Sequence, residues 1–264
     1  MSLPTSVTES VADRIRRVVR EAITTETLVP GERYSVEEVA ERLELPVSRT
    51  PVREALVRLA DDGLVCFERN RGLRILKGSV TDLAELFQLR LSVEVPAAYR
   101  AAQRVNDMLL YQLERELDAM ERAVKARSAL VGKGIAEDLE QINRDFVQHD
   151  TRFHELILSA GGNRRLVQAV CNWRDITTVI GGWKLAESDQ LGKVLSQHER
   201  IVEALRDRSP QEAAQAMYEH LTKTGTMLME QLQQVVGGTF DRHWYEGVAV
   251  PRSTSEFSSA VNAS

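Results

Sequence analysis

Three histidines and an aspartate stand where a metal ion could be held. Asp150 and His154 are four residues apart, so on a helix both face one point. His198 lies on the apolar stripe of Leu191, Val194, Leu195, Ile201 and Val202, and His220 on that of Ala213, Met217, Leu221 and Leu228. A lone inward histidine is ordinarily a hydrogen-bonded core residue. Two on neighbouring helices, with an Asp-x-x-x-His pair beside them, offer three imidazoles and a carboxylate. That set suits a borderline divalent metal, zinc first, with nickel or manganese as alternatives. His149 is at least as inward as Asp150 and stays open as core residue or ligand. An empty histidine core is also compatible with these positions. Of the five histidines in the chain, only His243 falls outside the helical stripes.

Two further constellations carry charge in unusual places. Arg90 and Glu94 sit four residues apart in the middle of the apolar face formed by Leu83, Leu86, Phe87, Leu91 and Ala98. Ionisable groups are almost never buried unpaired. Either the two form a buried structural pair, or Arg90 meets a ligand carboxylate with Glu94 orienting it. Arg49 and Arg53 repeat at helical spacing with no acidic residue three or four positions away. Such a pair repels by about 0.2–0.5 kcal/mol, and cations near a helix N-terminus oppose the macrodipole. A helix gains from this only if it meets phosphates and base edges. Arg58, by contrast, has Glu54 four residues before it, and a surface ion pair accounts for it.

Local signals supply the elements that position these groups. Val11, Ile15, Val18, Val19 and Ala22 predict a helix over about residues 8–24. Ser35 with Glu38 is a capping box that opens a short second helix. Ser48 is the expected N-cap of a third, accepting from a backbone N–H, with Pro51 tolerated in its first turn and Val52, Ala55, Leu56 and Leu59 inward. Val65 with Phe67, then Leu73 with Ile75, alternate as two short strands around Asn70-Arg71-Gly72. Helix, helix-turn-helix and hairpin make a winged helix-turn-helix over residues 1–78, with Arg69 and Arg71 at the wing tip. Beyond the Lys77-Gly78-Ser79 linker only helical stripes recur, over about 80–104, 107–129, 136–160, 164–180, 189–207 and 210–236. Pro96 is expected to kink the first of them. Residues 79–240 therefore read as a helical bundle, and the polar stretch 241–264 as a disordered tail. The expected fold is mainly α: a winged helix-turn-helix followed by an all-α antiparallel bundle.

Composition bounds the function. The 264 residues carry a formal charge of −5, so bulk electrostatics do not make the chain a polyanion binder. Residues 1–78 hold 13 basic and 13 acidic side chains, so any nucleic-acid affinity must come from a local patch. Cys66 and Cys171 have no metal or redox spacing. There is no signal-peptide pattern after Met1-Ser2-Leu3-Pro4 and no apolar run long enough to span a bilayer, so a cytoplasmic location without membrane association is expected.

The N-terminal motifs resemble a known family. Pro30-Gly31-Glu32-Arg33, Val39 to Leu43, Val47-Ser48-Arg49-Thr50-Pro51-Val52-Arg53-Glu54-Ala55-Leu56 and Leu59 to Val65 are similar to the DNA-binding domain of the GntR superfamily of bacterial transcription regulators. The turn at Glu44-Leu45-Pro46 is longer than that family's usual one. The resemblance implies that the helix after Ser48 enters the major groove of double-stranded operator DNA. Arg49 and Arg53 would be its contacts, with Ser48 and Thr50 beside them, and Arg33 and Arg71 complete the expected set. Arg90-x-x-x-Glu94, Asp150 to His154, Gly162-Asn163, His198 to Leu205 and Met217-x-x-His220-Leu221 resemble the ligand-binding FCD domain of the FadR-type branch. In many members an Asp and three His bind a metal that a small carboxylate effector completes. The resemblance thus implies Asp150, His154, His198 and His220 as metal ligands and the metal-binding rather than the acyl-CoA-binding version, with Arg90 and Glu94 facing the effector. The expected function is that of a homodimeric transcription regulator, a repressor relieved by a small carboxylate, rather than an enzyme. The alternative is a metalloenzyme-like bundle acting on a small carboxylate, fused to a DNA-reading module. Trp173, Arg174 and Trp183 are further candidates to shape the pocket.

Overall fold

A computed structural model describes residues 10–69, 71–130, 136–181, 188–246 and 248. The chain divides into two compact units, Met1–Gly78 with Thr178–Ile180, and Ser79–Thr177 with Gly181–Ser264.

In the first unit, α1 (Val11–Thr24) buries Ala12, Ile15, Val19, Ala22 and Ile23. Its N-cap Ser10 accepts from the Asp13 backbone N–H. Next, α2 (Val36–Arg42) opens with the capping box of Ser35 and Glu38. A turn follows in which Glu44 adopts φ +48°. Then α3 (Arg49–Asp61) packs Val52, Ala55, Leu56 and Leu59 inward, with α1 against it. Ser48 holds the N-cap backbone conformation, but its side chain makes no cap hydrogen bond. Pro51 removes one of the two donors that the expected cap bond could use. An N-cap hydroxyl accepts from the second or third helical N–H, and the third residue here is Pro51, which has none. Arg58 also departs from expectation: it pairs with Asp13 of α1 at 2.8 Å.

The wing has three strands where two were expected. β2 (Val65–Glu68) and β3 (Gly72–Ile75) form the predicted antiparallel hairpin. The two-residue β1 (Arg33–Tyr34) pairs with the other side of β3, giving the order β1-β3-β2. Two residues carry no period, so no pattern could announce that strand. Gly72 sits at φ +80°, and a Cβ there would strike the Tyr34 carbonyl oxygen, so the hairpin turn and the third strand both require glycine. Asn70 lies outside the described residues.

In the second unit, α4 (Val80–Arg104) starts at a capping box of Ser79 and Asp82 and runs through Pro96 without ending. It is followed by α5 (Asp107–Leu130), α6 (Ala136–Ala160), α7 (Arg164–Gly181), α8 (Ser188–Arg206) and α9 (Pro210–Val236). All described elements of this unit are helical. α4 packs on α9, α6 and α8, α5 on α6 and α8, and α8 on α9. Gly225 marks how closely α9 and α4 approach. An added Cβ there would lie 2.9 Å from the Phe87 ring and 2.8 Å from that of Trp244. Trp244 corrects the expected start of the disordered tail at 241. Its indole is buried, stands edge-on to Phe87 and donates to the Thr226 hydroxyl at 3.1 Å. One aromatic residue in a polar stretch is too weak a signal to predict that packing. Trp183 and most of the residues beyond 246 lie outside the described ones.

Candidate metal centre

Helical spacing brings Asp150 and His154 one turn apart on α6. α8 contributes His198 and α9 His220. One possible ligand atom from each of the four lies within 4.8 Å of every other. His198 Nε2 is 2.9 Å from Asp150 Oδ1 and 3.3 Å from His154 Nε2. All three imidazoles are buried, and the Phe153 ring stands edge-on to His154 and His198.

The outer nitrogens account for the orientation. His154 Nδ1 donates to the Glu94 carboxylate, His198 Nδ1 to the Val194 carbonyl at 2.8 Å, and His220 Nδ1 to Gln197 Oε1 at 3.1 Å. With each proton assigned outward, three Nε2 lone pairs converge on one point beside Asp150. Burial, with the neighbouring rings, pushes His198 and His220 well below the ordinary imidazole range. The neutral form is the one that ligates a metal. Four convergent N and O donors with outer hydrogen bonds already made fit a divalent cation.

Of the two readings of Arg90 and Glu94, the structure shows the buried pair, Nε to Oε1 2.7 Å. Glu94 also orients His154, and the Arg90 guanidinium lies over the Phe87 ring at 4.6 Å. Burial alone would push the Glu94 carboxyl up, but Arg90, then His154 and Arg174, hold it well below the usual carboxylate range. His149 turns elsewhere. Its Nδ1 meets Glu116 of α5 at 2.7 Å.

Two participants were not foreseen in their roles. Arg174 of α7 bonds the second oxygen of Asp150 and lies 3.9 Å from Glu94. Its Nε and Nη1 are buried without a hydrogen-bond partner. Burial and the Arg90 charge push its guanidinium down to about 9. Gln197, next to His198 in sequence, orients His220 on the neighbouring helix, a relation that only the packing of α8 on α9 creates.

The first unit presents a different kind of surface. Ser48, Arg49, Thr50 and Arg53 are all exposed along the first turns of α3. Arg49 pairs with Glu37 of α2 at 2.8 Å, a partner that sequence spacing did not reveal. Arg53 reaches the wing, its guanidinium 5.6 Å from the centre of the Phe67 ring. Phe67 alternates with Val65 in sequence, but only Val65 is buried. Arg71 is exposed beside the hairpin turn. Arg33 stands apart from the α3 group: its Nε donates to Glu68 at 2.7 Å, where Arg74 also bonds. Those bonds, Arg33 first, hold the Glu68 carboxyl below its usual range.

Comparison with known proteins assigns a family to each part of the chain. Residues 85–223 match the FCD domain, and residues 11–75 match the bacterial regulatory proteins of the gntR family. The HTH-type transcriptional repressor RspR of Escherichia coli K12 is 28% identical over 214 residues, 81% of this chain and 87% of its own. The Nta operon transcriptional regulator of Aminobacter aminovorans is 28% identical over 218 residues, 81% and 92%. Among solved structures, E. coli McbR/YncC aligns with TM-score 0.67 and 18% identity over 85% of this chain and 99% of its own. A putative GntR regulator from Rhodococcus sp. RHA1 gives 0.62 and 24%, over 83% and 97%. These two likenesses bear on the fold. The metalloenzyme alternative gains no support from any of these relatives.

Proposed function

From the premise that the chain belongs to the FCD-domain branch of the GntR family of bacterial transcription regulators, we propose that it is a repressor controlled through a divalent metal. Asp150, His154, His198 and His220 would hold the ion, with zinc the first choice for a site of three imidazoles and one carboxylate. The ion would supply positive charge and an open position to which a small carboxylate effector binds. Glu94 holds His154 in the ligating tautomer, Gln197 does the same for His220, and Arg90 holds Glu94.

At the other end, the α3 N-terminus would meet operator DNA. Its first N–H groups, the uncapped Ser48 hydroxyl and Arg49 are suited to phosphates. Arg53, one turn further on, is suited to a base edge, and Thr50 to either. Arg71 of the wing would track the backbone; Arg33 would do so only by giving up Glu68. Two copies of the chain would read the halves of a near-palindrome. Effector binding would alter operator affinity by repacking the helical bundle.

The single observation that carries this proposal is the convergence of three outward-protonated imidazoles on Asp150. The test is metal analysis of the purified protein after reloading with zinc, followed by titration of an operator selected from a random duplex library. One ion per chain, lost in His198→Ala, and operator affinity that changes with small carboxylates only in metal-loaded protein are the expected results. Full reloading of His198→Ala would overturn the ligand set. Operator affinity indifferent to metal and to every carboxylate would overturn the control.

A further inference from the structure

The buried charges around the centre do not balance once a divalent ion is in it. Arg90 and Arg174 supply two positive charges, and Glu94 and Asp150 two negative ones. The groups are 4%, 7%, 1% and 14% exposed, in that order. The three imidazoles add nothing, because with each Nδ1 donating outward the Nε2 lone pairs would be given to the ion, which neutral rings alone can do. Asp175, beside Arg174 in sequence, is exposed and screened by water. The ion therefore leaves an excess of two positive charges inside the bundle. A monocarboxylate would cancel one, and a buried unbalanced charge is costly.

Arg174 points to where the second negative charge would go. Its Nη2 is committed to Asp150, while Nε and Nη1 have no hydrogen-bond acceptor although the side chain is 7% exposed. Buried guanidinium donors are ordinarily satisfied. Arg90 does not share this condition, since Glu94 takes its Nε and the Phe87 ring covers its face. A carboxylate is the natural acceptor for the spare donors of a buried arginine.

We propose that the site takes a dicarboxylate, one carboxylate completing the metal and the other received by Arg174, which selects dianions over monoanions. The inference rests on the metal-and-carboxylate reading above and names the effector's charge class and the residue that reads it. Removing the guanidinium should change ligand choice between dianions and monoanions.

The test is calorimetric titration of the zinc-loaded full chain with pairs of equal carbon number, succinate against butyrate and malonate against propionate. The expected result is at least a tenfold preference for the dicarboxylate of each pair. Arg174→Gln should reduce that preference to about threefold or less, read on variant protein brought to the same zinc content as wild type. Arg174→Met, which keeps an unbranched stem without the charge or the donors, should lose the preference in the same way, and it serves if the glutamine variant does not fold. Equal affinities within each wild-type pair would overturn the proposal and leave the metal-carboxylate site standing. A dicarboxylate preference unchanged in both variants would remove Arg174 from it. Binding of no carboxylate to zinc-loaded protein would overturn this inference and the carboxylate part of the proposed function together. Absence of bound zinc after reloading would overturn the metal reading itself.

Discussion

The two units use the same chemistry, an arginine beside an acid, to opposite ends. On α3, Arg49 is 77% exposed and meets a Glu37 that is 37% exposed. On α4, Arg90 and Glu94 are 4% and 1% exposed. The first pair sits in water, where an ion pair contributes about 0–1 kcal/mol. It can be exchanged for a phosphate at little cost. The second pair has left water altogether, so each charge is needed by the other. Removing one partner leaves an uncompensated buried charge, at a cost of about 3–5 kcal/mol. Exposure thus separates a surface built to exchange partners from a centre built to keep its geometry. The contrast extends further: α3 starts with an uncapped Ser48 and cations, whereas the centre has a partner for every outer imidazole nitrogen.

The largest effect should come from the buried side. Glu94→Ala is expected to destabilise the protein by about 3–5 kcal/mol in urea denaturation, with about 10–100-fold weaker zinc binding because His154 loses its orienting group. A loss below about 1 kcal/mol would erase the contrast with Glu37. Next comes His198→Ala. Zinc at a hundred times its dissociation constant should stabilise the wild-type chain by about 2.7 kcal/mol, and thermal melts of the variant should show almost none of this. A third test moves to the exposed side. Arg53→Ala should weaken operator binding by about 1–3 kcal/mol while stability stays within about 0.5 kcal/mol of wild type; fluorescence anisotropy and urea melts read the two separately. The smallest effect sharpens the contrast most. Glu37→Ala frees Arg49 from its intramolecular partner and should raise DNA affinity by up to about 1 kcal/mol, roughly fivefold, with no measurable change in stability. Weaker DNA binding in that variant would mean that Glu37 positions Arg49 rather than competing for it.

Much of this was legible before any coordinates. The capping box at Ser35 is a four-residue signal and forms as predicted, and one of the same kind opens α4 at Ser79. The stripes that carry His198 and His220 are long, and long periodic helices are the most readable elements. What was not legible depends on residues far apart in sequence. Glu37 meets Arg49 across a turn, Asp13 captures Arg58 from the expected Glu54, and β1 is a strand only because β3 lies beside it. Trp244 belongs to the core because Phe87 and Thr226 are there to receive it. Arg174 was a candidate to shape the pocket, but no spacing in the sequence tied it to Asp150. Its position between Asp150 and Glu94 comes from the packing of separate helices.

The sequence by itself determined the family, the two-part organisation, the helix carrying Arg49 and Arg53, and the set Asp150, His154, His198 and His220 as candidates to meet. Each of these rests on local spacing, which helical geometry converts directly into a shared face. Only the tertiary structure decided that the four side chains converge, which nitrogen of each ring points inward, that His149 turns to Glu116, and that Arg174 keeps spare donors at the centre. Those outcomes depend on how separate helices pack, and burial turns the resulting distances into strong electrostatic constraints.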